Sequence, residues 1–108
     1  MKWLYYYRIL HNRTNSKYTY KYYKKKFQKL SLITGIQIPY KTKIGEGFYI
    51  GHTGRIIINP ESILGKNINI ATGVTIGQEN RGRRKGAPVI GNNVWIGTNS
   101  VIVGRITI

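Results

Sequence analysis

The sequence predicts an all-β solenoid: a parallel β-helix wound from hexapeptide repeats, preceded by a short N-terminal helical segment. Three observations lead there. Apolar residues recur every six positions at Ile38, Ile44, Ile50 and Ile56, at Leu64, Ile70 and Ile76, and at Ile90, Ile96, Ile102 and Ile108. All 13 glycines lie from residue 35 onward, and Gly45, Gly51, Gly65, Gly77, Gly91 and Gly97 each directly follow one of these markers. Residues 1–34, by contrast, hold 9 of the 18 Lys and Arg, with no acid, glycine or proline.

The N-terminal region, 1–34, reads as helical. Tyr18, Tyr22, Tyr23, Phe27 and Leu30 recur at helical spacing with lysines filling the gaps, and Asn15 or Ser16 is available as an N-cap. Trp3, Tyr7 and Leu10 suggest a shorter helix before it. The favoured reading is a cap whose aromatic face packs on the rest of the domain while its lysines stay solvated. The other is a basic element that makes peripheral contact with a membrane. Nucleic acid is not the expected partner.

Residues 35–108 form the solenoid. Each hexad supplies a short strand and a corner, and three hexads close a triangular coil. The marker points inward and stacks on the marker of the next coil, and glycine or asparagine takes corner conformations that a Cβ would penalise. A β-sandwich would instead show period-two alternation with turn signals every 8–12 residues. Two departures from the period stand out: an eight-residue step between Ile56 and Leu64, through Asn59-Pro60-Glu61-Ser62, and the stretch 77–89, expected to project as a loop.

Composition narrows the chemistry. A chain of 108 residues suits one domain, and its net charge of +15 favours anionic partners. With no cysteine there is no disulfide, thiolate site or cysteine nucleophile, which fits a cytoplasmic location, and no segment has the ~20 apolar residues of a membrane span. There is no aspartate, and His11 and His52 are the only histidines, so no metal site is expected. No Ser-His-Asp arrangement is available either. His52, set directly after a marker-glycine pair, is instead a candidate general base for a hydroxyl. The loop carries Arg81, Arg83, Arg84 and Lys85 among glycines; it either holds phosphates or is a solvated insertion.

The stretch from Lys43 through His52 to Gly77, followed by a loop and then Pro88–Ile108, resembles the hexapeptide-repeat acyltransferases. The branch it resembles is the serine acetyltransferases and their relatives in surface-polysaccharide pathways. The resemblance covers about Gly35 to Ile108 and keeps the spacing from His52 to Gly77. It implies a left-handed coil, a homotrimer, and acetyl-CoA as acyl donor in a groove between subunits. It implies His52 as the general base, with backbone N–H groups holding the oxyanion. Gly77, Arg83, Arg84, Lys85, Gly97 and Thr98 fall at positions expected to hold acetyl-CoA.

The chain also departs from that pattern. Gln37 stands where these enzymes place an aspartate fifteen residues before the histidine, and Gly51 where another directly precedes it. Gly86-Ala87-Pro88 replaces an Arg-His-Pro that holds serine. A sugar hydroxyl of a surface polysaccharide is therefore expected as acceptor over free L-serine, with the enzyme in the cytoplasm or at the inner face of the membrane. Because the last residue, Ile108, is itself a marker, the solenoid is expected to be C-terminally incomplete. The alternative function is a non-catalytic β-helix acting as an assembly or binding module.

Overall fold

The computed structural model describes residues 2–11, 17–52 and 54–108. Two helices, α1 (Lys2–His11) and α2 (Lys17–Thr34), precede ten strands of two or three residues. These are β1 (Ile36–Gln37), β2 (Lys43–Ile44), β3 (Tyr49–Ile50), β4 (Ile56–Ile58), β5 (Ile63–Leu64), β6 (Asn69–Ile70), β7 (Thr75–Gly77), β8 (Val89–Ile90), β9 (Trp95–Ile96) and β10 (Val101–Val103). Every third strand pairs in parallel, so the chain winds a prism with three faces. Face A is β1-β4-β7-β10, face B is β2-β5-β8 and face C is β3-β6-β9. This is a parallel β-helix.

Strands so short have little stability alone; stacking supplies it. Two side chains per face point inward, the marker and the residue two before it, because side chains alternate along a strand. On face C these are Phe48 with Ile50 and Ile68 with Ile70, all buried. On face A they are Ile56 with Ile58 and Val74 with Ile76, again buried. Each fully buried Ile or Val contributes roughly 1.5–3 kcal/mol relative to exposure. Face B is the exception, since Thr42 and Ser62 fill its second inward positions and their hydroxyls have no partner among the described residues.

Register corrects one sequence expectation. Ile58, not Ile56, lies opposite Ile76, which in turn lies opposite Ile102. The six-residue step therefore holds from Ile58 to Leu64, and Asn59–Ser62 is an ordinary corner. The eight-residue step falls between Ile50 and Ile58 and contains His52. The sequence is ambiguous here because Ile56 and Ile58 are both isoleucine and both inward; only pairing across coils separates them. The other departure is where it was expected, with 26 residues separating Ile63 from Val89, its partner one coil on.

Corners permit coils to stack at strand spacing, about 4.8 Å. A Cβ on Gly45 would sit 2.8 Å from the Gly65 carbonyl, and one on Gly65 would sit 2.8 Å from that of Gly91. Two residues on, the same corner uses asparagine: Asn67 and Asn93 have φ of 57° and 60°, and Asn67 Nδ2 donates to Asn93 Oδ1 at 3.2 Å. Asparagine tolerates this left-handed backbone better than other residues with a Cβ.

The helices cover the first coil. Trp3, Tyr7, Leu10 and Phe27 are buried in one cluster with Ile36, Ile38 and Phe48. Trp3 stacks on Tyr7 at 5.4 Å, the Tyr7 hydroxyl donates to the Thr42 carbonyl, and His11 Nδ1 contacts the Tyr40 carbonyl at 2.8 Å. On α2, Tyr23 and Leu30 join Phe27 against this core, whereas Tyr22 is exposed and is not part of the packed face. Asn15, Ser16 and the Tyr18 side chain lie outside the described residues. No described helix is long and apolar enough to cross a membrane.

Candidate active site

His52 lies where face C turns into face A, between β3 and β4, and is exposed. The same turn takes four residues from Ile70 to Val74 and from Ile96 to Ser100, but six from Ile50 to Ile56. The two extra residues make the His52 turn, the first in its column, depart from the two corners stacked after it. Its flanks are tied down: the Gly51 N–H donates to the Ile70 carbonyl at 3.3 Å, and the Arg55 carbonyl accepts from the Gly73 N–H at 2.7 Å. Gly54 has φ 148°, and a Cβ there would lie 2.2 Å from Thr72 Oγ1. The imidazole thus rides on a turn whose ends are anchored to the next coil, and it has no hydrogen-bond partner among the described residues.

Gly97 and Thr98 occupy the same edge two coils further on, between β9 and β10. At strand spacing that is about 10 Å along the prism from the His52 turn. Thr98 is exposed. Gly77 is different: it ends β7, opposite Val103, at the other end of face A. Arg83, Arg84 and Lys85 lie on that far edge too, all exposed. Their loop is a pinched hairpin, with Glu79 and Gly86 exchanging two backbone hydrogen bonds of 2.9 Å. It folds back on the last coil, where the Arg105 N–H donates to the Arg84 carbonyl at 2.8 Å.

One chain therefore brings His52, Gly97 and Thr98 to one edge and puts Gly77, Arg83, Arg84 and Lys85 on the other. Gln37 is exposed on the outer side of β1, opposite Ile57. It lines a groove of about 440 Å³ with Gln28, Ser31, Leu32 and Gly35. Gly35 packs directly against Gly54 (a Cβ on Gly35 would be 3.0 Å from Gly54 C), so the groove reaches the His52 turn from below.

Three neighbours of this edge escaped the sequence reading. Thr72 abuts Gly54 as above. Tyr49 and Trp95 stand on the outer side of face C, 58% and 69% exposed, and lean toward the edge. Tyr49 Cε1 is 3.8 Å from where a Gly51 Cβ would be, and Trp95 Cζ3 is 3.3 Å from where a Gly97 Cβ would be. Both occupy the position just before a marker, which must point outward; that signal was present in the repeat itself.

Chemically, the edge offers a solvent-accessible imidazole on an anchored turn, an aromatic wall, and backbone at Gly97 and Thr98. The opposite edge offers guanidinium and ammonium groups suited to phosphate oxygens. Among the described residues no group of three or more His, Cys, Asp or Glu could hold a metal ion.

No protein-family model matches the sequence. Over 76 residues, 70% of this chain, it is 34% identical to a serine acetyltransferase of Helicobacter pylori, and the match spans 44% of that protein. The structure aligns with a Neisseria gonorrhoeae serine acetyltransferase solved in complex with serine, at TM-score 0.74 and 30% identity, over 97% of this chain and 43% of the other. It aligns with Entamoeba histolytica serine acetyltransferase isoform 3, solved in complex with cysteine, at TM-score 0.74 and 28% identity, over 94% of this chain and 36% of the other. The chain spans under half the length of these relatives. In sequence over 70% of its residues, and in fold over nearly all of them, it is similar to the serine acetyltransferases.

Proposed function

We propose that the protein is an acetyl-CoA-dependent O-acetyltransferase with His52 as its general base. The observation that carries the reading is the His52 turn: an exposed imidazole, on the one corner of its edge lengthened by two residues, in a chain similar to serine acetyltransferases. Acetyl-CoA, when bound, supplies the acyl group as a thioester. His52 takes the proton of the acceptor hydroxyl as its oxygen bonds to the acetyl carbon, and returns that proton to the departing sulfur. Gly97 and Thr98 offer backbone to the donor on the same edge. Gly77 and the Arg83, Arg84 and Lys85 side chains offer a cationic hairpin that fits the donor's phosphates.

The separation of the two edges supports a homotrimer. With the hairpin on the far side of face A from His52, a complete site needs the hairpin of a second copy beside the His52 edge. The left-handed sense of the coil belongs to the same reading. A sugar hydroxyl of a surface polysaccharide is favoured over L-serine because Gln37, Gly51 and Gly86-Ala87 supply no charged group to hold an amino acid. We place the enzyme in the cytoplasm, within reach of the inner face of the membrane.

The test is acetyl-CoA consumption by the purified chain against nucleotide sugars, oligosaccharides and L-serine, with His52→Ala beside it. Turnover on a sugar that disappears in His52→Ala is the expected result. Turnover unchanged by that substitution rejects the base, and the absence of any thermal shift on adding acetyl-CoA rejects donor binding, since a ligand of the native state must raise stability.

A further inference from the structure

The packed face of α2 is accounted for by Tyr20, Tyr23, Phe27 and Leu30. Its opposite face is not. At 100° per residue, Lys21, Tyr22, Lys25, Lys26, Lys29, Leu32 and Ile33 share the outward half of this 18-residue helix, which is about 27 Å long. All seven are exposed; Leu32 is 87% and Ile33 69% exposed. Lys21, Lys25 and Lys29 follow one another at four-residue steps, so like charges face each other along the helix at a cost to its stability. No acid offsets them, since Glu46 is the first acidic residue in the chain.

We infer that this face docks on an anionic lipid surface, with the lysines at headgroup level and Leu32, Ile33 and Tyr22 entering the interface. Charge complementarity points to an anion. Two copies meeting through this face would oppose four lysines with four lysines. A nucleic acid would satisfy the cations but leaves Leu32 and Ile33, next to each other at the C-terminal end of the helix, without a role. A basic face carrying exposed apolar and aromatic side chains is what a surface-lying helix needs. Lys26 Nζ already lies 5.7 Å from the Tyr22 ring centroid, holding a cation over the aromatic side chain at the same height. Leu32 also borders the groove containing Gly35 and Gln37, so docking would turn that edge of the prism toward the lipid. The inference is independent of the acetyltransferase reading, because its readout is lipid binding.

The full chain is to be sedimented with vesicles of phosphatidylcholine alone and with vesicles in which a third of the lipid is phosphatidylglycerol. Binding at least about tenfold tighter to the anionic vesicles, weakened by added salt, is expected. Lys21→Gln/Lys25→Gln/Lys29→Gln and, separately, Leu32→Ser/Ile33→Ser should each lower it severalfold; all five side chains are exposed, so the fold should survive and is checked by circular dichroism. Equal binding to neutral vesicles, or no loss in either variant, overturns the inference. So does an oligonucleotide bound as tightly as the anionic vesicles and unaffected by Leu32→Ser/Ile33→Ser. A changed oligomeric state of that variant without lipid also overturns it, by making the face a contact between copies.

Discussion

The Tyr7 hydroxyl on α1 donates to the main-chain carbonyl of Thr42, just before β2, in a buried position. This bond ties the helical cap to the first coil across 35 residues of sequence. Burial pushes the Tyr7 hydroxyl up to about 12, because the phenolate would be desolvated.

Tyr7→Phe keeps the ring stacked on Trp3 but leaves the Thr42 carbonyl unpaired. A loss of about 1–2 kcal/mol is expected, read as a fall in urea midpoint with unchanged slope. The same residue predicts alkaline behaviour. Its folded pKa lies above the unfolded value of 10.0, so its contribution is whole below pH 10 and is lost as pH rises toward 12. Chemical denaturation at pH 9 and pH 11.5 should show the wild type losing more stability than Tyr7→Phe over that interval.

His52→Ala should lower kcat by roughly 10²–10⁴-fold, the usual worth of a positioned general base. Because His52 is exposed, its stability effect should stay within about 0.5 kcal/mol. Steady-state kinetics with a thermal melt on the same preparation check both halves, and a large drop in Tm would assign the residue to folding instead.

Gly51→Asp should be tolerated, since a Cβ there meets nothing nearer than Tyr49 Cε1 at 3.8 Å. A carboxylate beside His52 stabilises the protonated imidazole by opposite charge. As the base must be neutral to work, the acidic limb of the kcat/KM profile should move to higher pH. A profile that does not shift would separate His52 from proton transfer.

Gly54→Ala should fail where Gly51→Asp succeeds. Its φ of 148° is strained for any side chain, and the added carbon would lie 2.2 Å from Thr72 Oγ1. We expect loss of activity together with a stability cost above about 1 kcal/mol, partly restored in Gly54→Ala/Thr72→Ala. A double variant no better than the single one would place the strain in the backbone alone.

Arg83→Gln/Arg84→Gln should raise KM for acetyl-CoA severalfold with little change in kcat, and should flatten the dependence of KM on salt. Both side chains are exposed, so the melting temperature should hold.

The six-residue recurrence of isoleucine and leucine, with glycine at the corners, was enough to read parallel coils and an inward marker on every face. Inward packing demands an apolar marker on each strand, and one strand with its corner takes six residues. The basic hairpin was legible as a break in the period, whereas His52 stood out only by its place directly after a marker-glycine pair. What the repeat could not carry was phase. Ile56 and Ile58 satisfy the inward requirement equally, and only the hydrogen-bonded ladder to Thr75 and Ile76 decides that the two extra residues surround His52 and not Pro60. Nor could one dimension of sequence say that Tyr49, Thr72 and Trp95 border the His52 edge while the arginines occupy another, since which corner a residue reaches depends on how many strands the chain has wound before it. The tertiary structure assigned those edges, because a prism keeps its three corners apart by the length of the strand between them.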